Sequence, residues 1–331
     1  MVLVKTNVNP GFGKKGRGET EMKENKAVLK MKIRWKEFIH QVKDIFRSPI
    51  KTIGFFLILI DASLLIYGLF WGIITSLKSI NNFSEDMFGL PTQLRFDNYI
   101  TAYRCFYKNI QTGLGYERIY FPTLLRNSIL FSTIPTIIEL VTTASVAYVC
   151  SKYKMRFNKV LHFIVMFVLV FPGVDSLGNK INFLRTIGFY DSFFGTCFGE
   201  IIFARYNFLI WYGAFSGISN DYLDAARVDG AGNWRIMLTI AFPLVRIQFA
   251  ILFLLGFVGR WNSYLATIQF TPSWPTLSSA LFAFREVTAN AASFPTVQIA
   301  ACFIVALPSV VLYSIMSPYM IGNLTAGGLK G

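Results

Sequence analysis

The stretch "NDYLDAARVDGAGNWRIMLTIAFP", residues 220–243, lies between two long apolar runs, and its reading decides how the rest of the chain is organised. Asp221 stands where a helix cap is wanted, with Asp224 three residues on in the position of a capping-box acid. Tyr222 and Leu223 offer an apolar foothold, and Ala225 and Ala226 allow another surface to come close. Asp229 leads into Gly230 and Ala231, and the glycine suits the left-handed residue that ends a helix. Asn233 is the expected cap of a second segment, in which Trp234, Met237, Leu238 and Ile240 would make an apolar face. Pro243 breaks or kinks that segment before the next run. The stretch reads as a helix–turn–helix against a membrane surface, with small residues where something docks.

The membrane follows from composition. Of 331 residues, 53% are hydrophobic and only 15% charged, which excludes an ordinary soluble domain. A spanning helix needs about 20 mostly apolar residues, and six stretches qualify: roughly 53–77, 127–150, 160–177, 196–217, 247–269 and 296–320. The net charge of +14 is not spread like a nucleic-acid face, because 13 of the 32 Lys and Arg lie in residues 1–52 with five acids. The stretch "SKYKMRFNK" at 151–159 holds four positive residues and no acid, a cytoplasmic mark under the positive-inside rule. With six spans, both termini and the 218–246 loop are then cytoplasmic, and the segment 78–126 lies outside.

Ahead of the first span, Val28, Met31, Trp35, Phe38, Val42 and Ile45 fall on one helical face. Residues 26–50 are expected to form a basic amphipathic helix that Pro49 stops, seated on the inner leaflet or on a partner subunit. Residues 1–25 read as a disordered basic tail. Their "GFGKKG" matches a dinucleotide fingerprint only formally, since no strand precedes it. No G-x-x-x-x-G-K-[ST] loop occurs, so the chain is not expected to hydrolyse ATP. Cys105, Cys150, Cys197 and Cys302 lack metal-ligand spacing, and no metal site is expected. Cys105 and Cys197 fall on the outer side, where pairing or free thiols are both open. His40 and His162, the only histidines, belong to no catalytic arrangement, and no enzyme reading follows.

Asp224-Ala225-Ala226, then Gly230, Ile240 and Pro243, resembles the "EAA" loop of binding-protein-dependent ABC importer permeases, EAA-x3-G-x9-I-x-L-P, in every spacing. Asp224 replaces the usual Glu and Phe242 the usual Leu. "LFWGIITSLKS" (69–79), "LLRNSILFSTIPT" (124–136) and "GRWNSYLATI" (259–268) resemble segments of the carbohydrate-uptake branch, and "NLTAGGLKG" (323–331) is similar to the tail of its maltose-type second permease subunit. The resemblance covers about residues 53–331. It implies an all-α, six-span permease domain of the ABC importer type I fold, with a coupling helix in the 218–246 loop. It also implies a bacterial cytoplasmic membrane, a second related permease, two cytosolic ATPases that hold ATP and Mg, and an extracellular or periplasmic solute-binding protein. Tyr222, Asp224, Ala225, Ala226, Asp229, Gly230, Ala231, Ile240 and Pro243 are the expected ATPase-coupling residues. A sugar is the expected solute. A stand-alone secondary transporter or channel is the alternative, and it would function without ATPase partners.

Asp61, Glu139, Arg205 and Arg260 fall near the middle of expected spans, where a charge costs roughly 2.5–3.5 kcal/mol on insertion scales. Two acids and two bases at similar depth are expected to pair. Arg260, with Trp261 and Asn262, is the candidate for lining the translocation path, an arginine fork and an indole face suiting a sugar; a structural ion pair is the competing reading. Glu200 is placed at the outer end of its span, in reach of solvent. The outer segment 78–126 carries ten aromatic residues and is expected to be covered by another protein or to pack on itself.

Overall fold

The computed structural model describes residues 45–113, 115–153, 155–171, 177–284 and 293–327, with His40 and Lys43; at Leu177 and over 321–327 only the backbone is described. The tail expected at 1–25 and most of the helix expected at 26–50 lie outside these residues. The chain divides into two compact units, residues 1–71 and 72–331.

In the first unit, helix α1 (Pro49–Ser76) begins and then runs on beyond Trp71. Pro49 opens this helix, as proline can at a first turn where no intrahelical N–H bond is needed. Thr52 Oγ1 donates to the Ile45 and Ser48 carbonyls at 2.9 and 3.0 Å, closing the entry turn. Ile58, Leu64, Leu65 and Ile66 are all exposed, a side-chain surface suited to lipid or to another apolar helix.

The second unit is helical apart from one hairpin. Helices α2 (Ile80–Glu85) and α3 (Asp97–Cys105) lead into strands β1 (Tyr107–Thr112) and β2 (Gly115–Tyr120), paired antiparallel with Tyr107 opposite Tyr120. The hairpin turn passes through Gly113 to Gly115, the latter at φ 133°, which glycine tolerates. Lys78 is fully buried beneath α2, its Nζ donating to the Asp86 and Met87 carbonyls at 2.7 and 3.2 Å.

Helix α4 (Phe121–Lys152) is the central pillar, about 48 Å long at 1.5 Å per residue. After it come α5 (Asn158–Val170), α6 (Leu177–Thr186), α7 (Phe193–Phe198), α8 (Tyr206–Ser216), α9 (Asn220–Val228) and α10 (Asn233–Ile236). A π-helical turn (Met237–Ala241) joins α10 to α11 (Phe242–Leu244), and the chain ends in α12 (Arg246–Asn262), α13 (Tyr264–Phe270), α14 (Leu277–Phe284) and α15 (Pro295–Gly327). One half of α4 packs with α12, α14 and α15 around Leu124, Trp261, Ala280 and Ala301, and its other half packs with α8 and α12 around Leu140, Ala144, Trp211 and Phe215. Where α4 crosses α12, a Cβ at Gly256 would stand 2.8 Å from Thr136 Cγ2, so the contact requires glycine.

Among the described residues three helices are long and apolar enough to span, Pro49–Ser76, Phe121–Lys152 and Pro295–Met320; a fourth candidate is the pair Asn233–Leu244 and Arg246–Asn262, bent by 75°. Of the expected span at 160–177, residues 160–170 belong to the 13-residue α5, and 172–176 lie outside the described residues. The one at 196–217 contains the end of α7, a non-helical stretch and α8. The one at 247–269 breaks at Ser263 into α12 and α13.

Candidate functional site

Buried charge gathers at the break between α7 and α8. Glu139, on the packed side of α4, is 4% exposed, and Glu200, in the break, is 5% exposed. Arg260 of α12 reaches both, its Nη2 lying 2.6 Å from Glu139 Oε2 and 2.8 Å from Glu200 Oε2. Arg205 Nη2 meets Glu200 Oε2 at 2.7 Å, and its Nη1 lies 3.6 Å from Glu139 Oε1. Asn207, in the first turn of α8, donates to Glu139 Oε1 at 2.9 Å, and Lys180 of α6 stands 4.0 Å from Glu200 Oε1. On a continuous helix, residues five apart are about 140° apart around the axis, so Glu200 and Arg205 would face different ways. Breaking the helix there, with Arg205 extended at φ −135° and ψ 164° as the cap of α8, lets both join one cluster. Each acid has more than one cationic partner, which is the condition for burying charge at tolerable cost.

The expected residues divide. Glu139, Arg205 and Arg260 come together. Asp61 is exposed on α1 in the first unit, and the second acid of the cluster is Glu200 instead. The correction follows from the helix break, which turns Glu200 inward and away from solvent. Trp261 is 1% exposed and its Nε1 donates to the Val305 carbonyl at 3.0 Å, so its ring packs in the core and offers no face to a solute. Asn262 is exposed, beside a separate cavity of about 380 Å³ between α12 and α15. Beside the charge cluster lies a smaller cavity of about 110 Å³, bordered by Lys180, Glu200 and Arg260 together with Phe131, Thr196 and Phe270. Cys105, Cys150 and Cys197 are free thiols.

The 218–246 loop forms its own small unit. Leu223, Ala226 and Ile236 are buried together, with Ala231 and Ile240 packed against them. Ser219, not Asp221, caps α9, its Oγ accepting from the Asp221 N–H at 3.2 Å, and Gly232, not Asn233, precedes α10. Gly230 has φ 78°, the left-handed conformation its position called for. Ala226 is 8% exposed and serves the loop's own core, so of the two alanines only Ala225 faces outward. Trp234 and Leu238 are exposed while Met237 is buried, so they do not share one face. Asp224 and Arg227 pair at 2.6 Å on the outer side. Tyr153, whose ring lies 5.8 Å below the Arg227 guanidinium, and then Asp224, hold that guanidinium above its ordinary range. Lys152, ending α4, donates to the Ile218 carbonyl at 2.5 Å and to Asn220 Oδ1 at 3.2 Å, fastening the loop's entrance. At its exit the Phe242 N–H bonds back to Met237, widening one turn directly before Pro243, which has no N–H to give.

Residues 112–319 match the family described as binding-protein-dependent transport system inner membrane component. The chain belongs to that family. As an inner membrane transport component it is similar to the diacetylchitobiose uptake system permease protein NgcG of Streptomyces coelicolor, 22% identical over 278 residues that cover 83% of this chain and 87% of that one. It is also similar to the trehalose/maltose transport system permease protein MalG of Thermococcus litoralis, 24% identical over 279 residues, 82% of this chain and 93% of that one. Its fold matches a chain in the crystal structure of a bacterial ABC transporter involved in the import of the acidic polysaccharide alginate, with TM-score 0.66 and 22% identity, covering 81% of this chain and 95% of the other. Glu200 and Lys180 were missed as site residues in the sequence. The signal for Glu200 was a glutamate and an arginine five apart inside one apolar run, a spacing that only a broken helix reconciles.

Proposed function

We propose that the chain is one transmembrane half of a carbohydrate importer, pairing with a second related permease and driven by two cytosolic ATPases that bind ATP and Mg. A solute-binding protein outside the membrane delivers the sugar, and both termini and the 218–246 loop lie in the cytoplasm. The observation that carries this reading is the loop: a unit with its own core whose outer face leaves Tyr222 63%, Val228 88% and Trp234 74% exposed. Exposed aromatic and aliphatic side chains on a short helix between spans suit docking into a cleft of another protein. Closure of the ATPase pair would then displace α9, and through Lys152 and the bent α10–α12 pair the spans attached to it. The sugar assignment rests on relatives named for saccharide uptake.

The test is mild solubilisation of the tagged chain with identification of what co-purifies. A second permease and an ATPase are expected to be recovered, and both Tyr222→Asp and Ala225→Glu are expected to lose the ATPase while keeping the permease partner. Ala226 is unsuitable for this test because it packs inside the loop. A chain that purifies alone and transports without ATP would establish the secondary-transporter alternative instead.

A further inference from the structure

The small cavity beside the charge cluster is bordered by a charge arrangement that does not balance. Among the described residues three cations, Lys180, Arg205 and Arg260, meet two carboxylates, Glu139 and Glu200. Both arginines are engaged at 2.6–2.8 Å, whereas Lys180 stands 4.0 Å from its acid, 5.1 Å from the Phe270 ring centroid, with its side chain 27% exposed. The surplus cation is thus the loosely held one. Asp191 is bound elsewhere, accepting from the Ser273 N–H and hydroxyl at 2.9 and 2.6 Å. A second observation points the same way. Arg260 also borders the cavity and is not used up by its acids, since Glu139 and Glu200 are both met through Nη2. A loosely held ammonium and a guanidinium with donors to spare border one cavity.

The space suits a small acceptor. About 110 Å³ is well above the roughly 10–15 Å³ that a single water needs, so an oxyanion has room there. Glu200, which also borders it, does not repel an anion there, because both its oxygens face cations.

We propose that this cavity, with Lys180 and Arg260, is an anion-recognition site for a single carboxylate or phosphate group on the transported saccharide, so that the solute is an acidic or phosphorylated sugar. This rests on the importer reading above and narrows its substrate class. The anionic group would lie beside Arg260 and give Lys180 a close partner.

The experiment uses the purified complex of the chain with its partners, titrated in separate arms with digalacturonate, glucose 6-phosphate, maltose and inorganic phosphate, and read by ligand-induced shift of thermal unfolding. Digalacturonate or glucose 6-phosphate is expected to stabilise the complex and maltose not to do so; which of the two acts identifies the group. Lys180→Met is expected to weaken that ligand about tenfold or more, the loss of one charge-assisted contact, while Lys180→Arg retains most of it. Retention by the arginine variant shows that the loss is not a failure to fold. Equal stabilisation by maltose, an unchanged response in Lys180→Met, or a response to inorganic phosphate alone would overturn the proposal. ATPase stimulation by a neutral saccharide would overturn it while leaving the importer reading standing, whereas absence of any ATPase from the complex would remove that reading itself.

Discussion

Two carboxylate–guanidinium pairs in this molecule have the same 2.6 Å separation and opposite surroundings. Arg260–Glu139 lies in the packed interior, with the acid's side chain 6% exposed; Asp224–Arg227 lies on the outer side of α9, with side chains 61% and 41% exposed. Distance alone would give them equal weight. The interior pair cannot exchange its partner for water, so losing one member leaves a buried charge, whereas the loop pair can dissolve into solvent at little cost. The interior cluster therefore fixes how α4, α8 and α12 meet, whereas the loop pair lies on an exposed surface.

Substitutions can break this contrast. The largest effect is expected from Arg260→Leu, which leaves the buried Glu139 with Arg205 at 3.6 Å as its remaining cation and should destabilise the complex by up to about 3–5 kcal/mol, seen as lost yield and a lowered unfolding temperature in detergent. Adding Glu200→Gln to that variant should recover part of the loss, and no recovery would show that Arg260 acts by packing alone. Next comes Gly256→Ala, which drives a methyl against Thr136 and should cost about 1–3 kcal/mol by the same unfolding measurement. Thr136→Ser in that background removes the opposing methyl and should restore much of it.

The loop responds differently. At Gly230 a side chain meets nothing within 4 Å, so substitution there fills no turn, and its cost is the backbone conformation at φ 78°. Gly230→Ala should cost about 1–2 kcal/mol within the loop, and Gly230→Asn less, since asparagine tolerates that conformation. Gly230→Asp adds a charge to the exposed surface and is expected to abolish ATPase recovery with little change in unfolding of the rest. The smallest effect is expected from Asp224→Asn, below about 1 kcal/mol in stability. If Asp224→Asn proved as damaging to unfolding as Arg260→Leu, the contrast between the two pairs would fail.

What could be read from sequence follows the same division. The helix–glycine–helix character of 220–243 was legible because Gly230 and Pro243 act through local backbone rules. The caps were misassigned by one or two residues, because Ser219 and Gly232 compete with Asp221 and Asn233 on nearly equal terms. Glu139, Arg205 and Arg260 were legible as charges in apolar runs. Their company was not: hydropathy reads 196–217 as one span, while the structure interrupts it at 199–205 to bring Glu200 inward. Trp261 shows the limit from the other side, since its position beside Arg260 suggested a shared role, yet adjacent residues on a helix point about 100° apart. In the segment 78–126, Phe106 is 1% exposed while Tyr116 is 78% exposed, so the aromatic run serves the core and the surface at once. Periodicity could not separate them across a hairpin it did not foresee.

Lys152 ties two stages of the protein's life together. In the proposed orientation it belongs to the positive stretch 151–159 that keeps this side of the chain in the cytoplasm during insertion. In the finished fold the same ammonium holds the first turns of the 218–246 loop through the Ile218 carbonyl and Asn220. A neutral residue at this position would blur the topological signal and release the loop in one stroke. A defect in transport there would have to be traced separately to assembly and to power transmission before either could be assigned.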